Sequence, residues 1–331
     1  MTTTTVSGAQ PKRFNPVQFA MDYLVLVAIV LLVIITVIVE PKFLTAENFT
    51  NLMRQFGPLS LVALGMTFVI LGGFIDLSVA GTISLVGIVT VSLIDPIGQV
   101  GALFAGLAVG ALVGCLNGSL LVGVGANIQA KALFITYGMS AVINAITLLY
   151  TGGYTLHMWK LLTPYTLFQA IGSGTVGIIS ISFIIFLACL LVLGIFQAKT
   201  FLGRSVSYTG GNMVAAELSG LPTKRIMIMI YTICGFMAGL GAIVLVSRIT
   251  TAAPMIGRGF ETNAILAVVV GGTSLQGGRG SVLRTVLGVM LVILMSNCMN
   301  LLGVSPYMQV VLRGAILVTA IWLDHRRHNR G

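Results

Sequence analysis

Uninterrupted apolar runs dominate the chain and constrain its fold more than any other feature. A helix needs about 20 apolar residues to cross a bilayer, and runs near that length recur from residue 24 onwards. Only 8% of the 331 residues are charged, whereas soluble domains carry about 25%. These properties exclude a soluble enzyme, a disordered chain and a nucleic-acid-binding domain. They also exclude an outer-membrane β-barrel, whose strands alternate apolar and polar residues.

The runs predict an all-α polytopic membrane protein of about ten transmembrane helices, some short and interrupted by glycine. The predicted spans are 22–39, 58–73, 77–94, 101–124, 132–150, 172–195, 226–246, 263–275, 282–302 and 308–323. The expected organisation is an N-terminal tail at 1–21, a transmembrane domain at 22–323 with a charged loop at 196–225, and a basic tail at 324–331.

Lys and Arg are distributed unevenly between the two sets of loops. With the N-terminus inside, twelve of the 18 fall in inner loops, five in outer loops and one, Arg313, within the last span. Cytoplasmic loops carry the excess of positive charge in membrane proteins. We therefore expect both termini, including both tails, to be cytoplasmic.

Two predicted spans, 58–73 and 263–275, are short and contain paired glycines. The stretch VILGG at 69–73 is similar to VVVGG at 268–272. Paired glycine-interrupted segments mark the substrate path in many transporters. A chain with 40 glycines also produces such matches by coincidence, so both interpretations stay open.

Four glycines recur at every fourth position of the fourth span: Gly106, Gly110, Gly114 and Gly118. They form a ridge without side chains, along which another backbone can pack closely. We expect this ridge to pack within the subunit, and a contact between subunits is the alternative.

Motifs for catalysis are absent from the sequence. It contains no GxxxxGK[ST] phosphate loop and no HExxH or clustered metal ligands, so ATP hydrolysis and a metal site are not expected in this chain. The four cysteines lie in apolar segments without a CxxC pair, which favours a packing role. The sequence thus predicts neither an enzyme nor a cofactor-binding protein.

Asp76 is the exceptional residue, because it lies between two apolar runs. An ionisable group at membrane depth normally faces a cavity, a partner or water. Its carboxylate either caps the next helix or takes part in the translocation path or its gate, and the two roles can coexist. The other candidate path residues are Ser78, Glu261 and Asn263.

The loop 196–225 contains a short helix with signals at both ends. Asn212 is a good N-cap, Gly220 suits the left-handed position after a helix, and Pro222 blocks continuation. An apolar stripe is formed by Val214, Leu218 and Leu221. Because two turns of helix are marginal alone, we expect this helix to dock on the bilayer, on the chain's own helices or in a partner's groove.

This loop resembles the coupling segment of ATP-binding-cassette importer permeases, whose signature is an E-A-A…G stretch. Ala215, Ala216 and Gly220 match in place, while Glu217 follows the alanines instead of preceding them. The candidate coupling helix comprises Asn212, Val214, Ala215, Ala216, Glu217, Leu218, Gly220 and Leu221.

Longer stretches extend the resemblance over most of 22–323. They are GMTFVIL at 65–71, IDLSV at 75–79, GR at 203–204 through GN at 211–212, AILAVVVGGTSLQGGRG at 264–280 and NLLGV at 300–304. Together they resemble the inner-membrane permease of ribose-type monosaccharide importers, in the superfamily of branched-chain amino acid and sugar permeases.

Two positions depart from the family pattern. Ala80 stands where the family commonly has glycine, and Glu261-Thr262-Asn263 stands where it often has an acid-Leu-Asp run. Because Asn263 lacks a charge, no charged role is carried over to that position.

The resemblance implies a permease subunit of an ATP-driven importer in the bacterial cytoplasmic (inner) membrane. Two permease copies, as a homodimer or a related heterodimer, would form the path within the lipid bilayer. A separate ATPase subunit would bind ATP-Mg and dock inside, and an external binding protein would deliver a monosaccharide or related small polar solute. The chain itself would hold no cofactor and bind no nucleic acid.

Three alternatives to this function stay open. A branched-chain amino-acid permease belongs to the same importer class. An ion-coupled secondary transporter needs titratable groups inside the bundle, for which Asp76 and Glu261 are the only carboxylate candidates. A passive polyol channel would have no use for the capped helix in the loop 196–225.

Overall fold

A computed structural model describes residues 24–126 and 128–328, and most of these residues are helical. The α-helices in these ranges are α1 (Leu24–Val39), α2 (Ala46–Leu71), α3 (Val79–Gly123), α4 (Gln129–Thr151), α5 (Thr166–Ser173), α6 (Ile181–Lys199), α7 (Phe201–Gly211), α8 (Met213–Leu218), α9 (Thr223–Ile249), α10 (Phe260–Val270), α11 (Val282–Leu301) and α12 (Pro306–His328). Pro41–Leu44 and Met158–Lys160 form 3₁₀ turns.

Six of these helices, α2, α3, α4, α6, α9 and α11, are long and apolar enough to cross a membrane. The predicted class, an all-α polytopic membrane protein, is therefore confirmed. The predicted N-terminal tail at 1–21 lies outside the described residues, as do Lys12, Arg13 and Arg330 of the charge count.

Four two-residue strands form two small antiparallel sheets. Strand β1 (Leu156–His157) pairs with β4 (Thr251–Ala252), and β2 (Thr175–Val176) pairs with β3 (Ile179–Ser180) as a hairpin. We call this end of the helical bundle the hairpin end, and the opposite end, which carries α7 and α8, the α8 end.

Helix α2 is longer than the short span predicted at 58–73. It begins at Ala46, where Thr45 Oγ1 accepts a hydrogen bond from the Asn48 N–H at 3.2 Å, and it continues through Pro58. Residues 48–57, which precede the predicted span and include Arg54, therefore belong to the same helix. A Cβ atom at Gly241 of α9 would lie 2.9 Å from the Pro58 carbonyl oxygen, so α2 packs closely on α9 at this point.

The predicted start of the sixth span, at residue 172, is also wrong. Residues 174–180 form the β2–β3 hairpin, with Gly177 in the left-handed region at φ +63°. Helix α6 then begins at Ile181, where Ser180 Oγ accepts a hydrogen bond from the Phe183 N–H at 3.3 Å. A turn and an N-cap therefore divide the predicted span, which runs continuously from residue 172 to residue 195.

Helix α3 is two helices joined at a sharp break. Gly98, two residues after Pro96, has φ +77° and ψ 169°, which interrupts the helix. The halves at 79–97 and 99–123 correspond to two successive predicted spans, 77–94 and 101–124. The break lies at the hairpin end, so the second half runs back toward the α8 end.

Helix α9 lies at the centre of the bundle, against α2 and the second half of α3. A Cβ atom at Gly110 would lie 2.6 Å from the Gly235 carbonyl oxygen, and one at Gly118 would lie 2.7 Å from Ile228 Cα. Gly114 lies directly against the Tyr231 carbonyl, and Gly106 lies against Thr90 in the first half of α3. The chain's own helices therefore cover the glycine ridge.

Candidate functional site

The chain breaks its helical path between α2 and α3, at residues 72–78. The Gly73 N–H donates to the Ile70 carbonyl at 2.9 Å, the Phe74 N–H donates to the Val69 carbonyl at 3.0 Å, and Gly73 has φ +85°. This is the Schellman ending, which glycine permits because it has no Cβ. Irregular backbone at membrane depth must be buried in protein or line a water-filled cavity.

Asp76 lies in this first break and is 1% exposed. Its Oδ1 accepts hydrogen bonds from the Ser78 N–H at 2.9 Å and from Ser78 Oγ at 2.6 Å, and Ser78 Oγ accepts one from Asn117 Nδ2 at 2.6 Å. Ser78 is itself the N-cap of α3. Asp76 therefore bonds to the N-cap residue and not to the backbone amides of the first turn of α3.

Side chains from two other helices hold the backbone of the first break. The Tyr231 hydroxyl of α9 donates to the Ile75 carbonyl at 3.0 Å, and the Leu77 N–H donates to Thr136 Oγ1 of α4 at 3.0 Å. Asn117, Thr136 and Tyr231 were missed in the sequence, since a single polar residue in an apolar helix gives no sign of its partner. The break is thus a fixed polar centre joined to three helices.

A second break, at residues 253–259, separates β4 from α10. The Gly257 N–H donates to Ser84 Oγ at 3.1 Å, and the Gly257 backbone lies directly against the Ala80 carbonyl. Both contacts are with the first two turns of α3, immediately after the first break. The structure therefore brings the two helix breaks side by side.

Glu261 and Asn263 lie in the first turn of α10, after the second break. Glu261 is half-buried, and its Oε2 accepts a hydrogen bond from the Gly259 N–H at 2.9 Å. Asn263 Oδ1 lies 3.4 Å from Nη1 of Arg313 in α12. The candidate path residues thus divide into a pair at the first break, Asp76 and Ser78, and a pair beside the second.

The two similar stretches at 69–73 and 268–272 form the same kind of helix end. At the end of α10 the Gly272 N–H donates to the Val269 carbonyl at 2.8 Å, and the Thr273 N–H donates to the Val268 carbonyl at 3.1 Å. Gly272 has φ +93°, close to the value at Gly73. Helix α10 therefore ends at Val270, and the rest of the span predicted at 263–275 is a turn.

Helix α8 is the short capped helix expected in the loop 196–225. Asn212 Oδ1 accepts a hydrogen bond from the Ala215 N–H at 3.0 Å, and Gly220 has φ +81°. Val214 is 68% exposed and Leu218 is 85% exposed, whereas Ala216 is buried. Leu221 does not extend the stripe, because it follows the left-handed Gly220 and packs against the core.

Close backbone contacts connect the residues just before α8 to the first break and to the loop that follows α10. Gly210, two residues before Asn212, lies directly against the Leu71 carbonyl, and the Gly278 N–H donates to the same carbonyl at 2.9 Å. A Cβ atom at Gly277 would lie 2.7 Å from both the Gly210 carbonyl oxygen and Gly73 Cα. We call these contacts the glycine junction; it joins the ends of α2 and α7 to the loop that follows α10.

At the hairpin end, two side chains beside the break in α3 accept hydrogen bonds from the backbone of the connection between α4 and α6. Asp95 accepts hydrogen bonds from the Thr163 N–H at 2.8 Å and the Leu162 N–H at 3.3 Å, and Gln99 Oε1 accepts one from the Leu167 N–H at 2.7 Å. The bond from Thr163 lowers the pKa of the Asp95 carboxyl, since it favours the charged form. These bonds fix the long connection between α4 and α6.

Comparisons with known proteins give a family and several relatives for the chain. Residues 48–321 match the family model described as the permease component of the branched-chain amino acid transport system. The ribose import permease protein RbsC of Escherichia coli (strain K12) is 34% identical, covering 99% of this chain and 100% of that protein. RbsC of Bacillus subtilis (strain 168) is 38% identical, covering 90% of each chain, and the L-arabinose transport system permease protein AraH of E. coli is 32% identical, covering 97% of this chain and 95% of AraH.

No solved structure matches the chain. The family model covers most of the chain, and these three relatives are matched over at least nine tenths of their length. The chain therefore belongs to the family of branched-chain amino acid transport system permease components.

Proposed function

We propose that this chain is the permease subunit of an ATP-driven importer that translocates a monosaccharide or a related small polar solute. The observation that carries the proposal is α8, a capped two-turn helix with two exposed apolar side chains and a backbone connection to the first break and to the loop that follows α10. The similarity to ribose and arabinose permeases over nearly the whole chain supports the choice of solute. Transport, and not catalysis, is the role of the chain.

The proposed arrangement has ten membrane crossings and both termini in the cytoplasm of a bacterial cell, with the α8 end facing inwards. Two permease copies form the path in the inner membrane. An ATPase subunit carrying ATP-Mg docks on α8, and an external binding protein delivers the solute at the hairpin end. Asp76, Ser78, Glu261 and Asn263 are the proposed path or gate residues.

Movement of α8 would reach the path through the glycine junction. Gly210 lies in the last turn of α7, two residues before Asn212, and contacts the end of α2, so a displacement of α8 moves the first break. Gln197 ties the end of α6 to the same region, since its Nε2 donates to the Gly280 carbonyl at 3.2 Å and its Oε1 accepts from the Val282 N–H at 2.9 Å. ATP binding and hydrolysis would thus bias two conformations of one bundle.

The test is Leu218→Asp, which places a charge on the exposed docking face. Because Leu218 is 85% exposed in the chain alone, the substitution should leave insertion and folding intact. It should abolish co-purification with the ATPase subunit and stop ATP-dependent uptake, since a charge in a desolvated interface is strongly unfavourable. The matched control is Leu162→Asp, a 94% exposed leucine at the hairpin end, which should co-purify normally.

Normal co-purification and uptake in the Leu218→Asp variant would contradict the docking role of α8.

The branched-chain amino acid alternative is suggested by the description of the family model. It is tested with labelled D-ribose, D-allose, L-arabinose and L-leucine as probes. Uptake of L-leucine alone would replace the sugar assignment, and uptake that persists without ATP would indicate ion coupling.

A further inference from the structure

Arg313 is a cation inside the last helix, on the side of α12 that faces the bundle. The wholly or partly buried positions of α12 recur at helical spacing. They are Gln309, Arg313, Ile316, Leu317 and Ala320. Seven residues separate Arg313 from the start of α12 at Pro306, which is about 10 Å along the helix axis.

The guanidinium of Arg313 contacts amides and no carboxylate of the described residues. Nη1 donates to Asn263 Oδ1 at 3.4 Å, and Nη2 donates to Gln309 Oε1 at 3.1 Å. Nε is buried and has no hydrogen-bond partner in the described part of the chain. A guanidinium has five N–H donors, so most of its capacity is unused.

The amide beside Arg313 is held in place by its own partners. Gln309 is 4% exposed, and its Nε2 donates to Asn300 Oδ1 at 2.8 Å and to the Val304 carbonyl at 3.1 Å. This fixes Gln309 Oε1 where it orients the guanidinium. A group held in one geometry before binding loses little entropy when a ligand arrives.

A cation at membrane depth is costly unless it meets water, a counter-charge or a polar ligand. Arg313 is half-buried, and its Nε is fully buried. Its partner Asn263 lies in the first turn of α10, directly after the irregular backbone at 253–259. A cation without a carboxylate partner requires a polar environment there.

We infer that Arg313 lines the translocation path and donates hydrogen bonds to the hydroxyl oxygens of a neutral polyhydroxylated solute. Asn263 and Gln309 are the positioning residues that orient its guanidinium. A neutral solute fits better than an anionic one, because passage requires contacts weak enough to be released, whereas a carboxylate would pair tightly with Arg313. The inference rests on the proposed transport function.

The experiment measures initial uptake of labelled D-ribose, D-allose and L-arabinose by cells that express the complete importer. Arg313→Gln should lower uptake about tenfold, as expected for loss of hydrogen bonds from a charged donor. Its membrane level and co-purification with the ATPase should be unchanged. Arg258→Gln, at an exposed arginine of the second break, is the control and should keep uptake within about twofold, the range expected when no such bond is lost.

Asn263→Asp separates solute binding from a structural role. It gives Arg313 a carboxylate of the same shape, so the guanidinium becomes occupied by an ion pair. Solute binding predicts that uptake falls while thermal stability is kept or increased. A structural anchor predicts that uptake is kept or improved. Arg313→Lys retains the charge but loses the planar set of guanidinium N–H donors, so it should give intermediate uptake. It replaces Arg313→Gln in the experiment if that variant does not fold.

Normal uptake by Arg313→Gln, or by Asn263→Asp, would overturn the inference while the transport function stands. If the unsubstituted importer takes up none of the three sugars, the proposed solute class is wrong and this inference falls with it.

Discussion

The carboxylate of Asp76 illustrates how this chain keeps a charge in its apolar interior. Its hydrogen-bond partners are the amide and the hydroxyl of Ser78, and Asn117 in turn donates to that hydroxyl. Hydrogen bonds of this kind offset the cost of burying a polar group. Arg313, whose partners are two neutral amides, represents the opposite case of an incompletely satisfied cation.

At the residue scale we predict that Asp76→Ala is more harmful than Asp76→Asn. Alanine leaves the Ser78 N–H and hydroxyl buried without an acceptor, which costs about 1–3 kcal/mol. Asparagine keeps an acceptor oxygen in the same place, so the protein should unfold at a similar temperature and retain most of its uptake. Thermal unfolding of the purified protein and uptake by cells are the two measurements.

Ser78→Ala is the companion variant, because it removes one donor and leaves the carboxylate in place. Loss of uptake in Asp76→Asn at a normal membrane level would show that the charge of Asp76 is itself required in the gate. If Asp76→Ala unfolds at the same temperature and takes up solute as fast as the unsubstituted protein, Asp76 neither stabilises the start of α3 nor acts in the gate.

At the scale of elements, glycine decides which helices can approach each other. In the ridge of α3, the absence of side chains lets the backbone of α9 lie against Gly110, Gly114 and Gly118. Such contacts replace the hydrophobic effect as a source of stability in a membrane, where lipid tails are as apolar as leucine. The glycine junction uses the same property to join three segments at the α8 end.

We predict that Gly114→Ala destabilises the bundle, whereas Gly138→Ala does not. A Cβ at Gly114 would overlap the Tyr231 carbonyl, and overpacking of this kind costs about 1–3 kcal/mol. Gly138 of α4 has open space around the corresponding position. The melting temperatures of the two purified variants give the comparison, and an equal melting temperature for Gly114→Ala and the unsubstituted protein would contradict the packing role.

At the scale of the whole molecule, the asymmetry between the two ends has a consequence for orientation. The α8 end carries Lys199, Arg204, Lys224 and Arg225, close to α7 and α8. The hairpin end is closed by the bonds around Asp95. The positive charge favours a cytoplasmic position for the α8 end.

Reporter fusions test this orientation. A fusion after residue 160 should report the outside and one after residue 210 the inside, because the positively charged loops are retained in the cytoplasm. If both reporters lie on the same side of the membrane, or if residue 160 is inside and residue 210 outside, the ten-crossing arrangement is wrong. Residues 160 and 210 are expected on opposite sides because one crossing, α6, lies between them.

Local patterns in the sequence were sufficient for much of the architecture. The apolar runs predicted the helical membrane class, and Asn212 and Gly220 marked the ends of α8. These features depend on neighbouring residues, because a span is defined by a continuous run and a cap by bonds that reach only three or four residues.

The tertiary structure alone decided the rest. It kept α2 helical through Pro58, divided an apolar run at the β2–β3 hairpin, and joined Asp76 to Asn117 through Ser78. It also placed Asn263 beside Arg313, fifty positions along the chain. Contacts such as Ser78–Asn117 and Asn263–Arg313 leave no periodic signal, because the partners are far apart in the sequence and the free energy of the contact arises only when the chain packs.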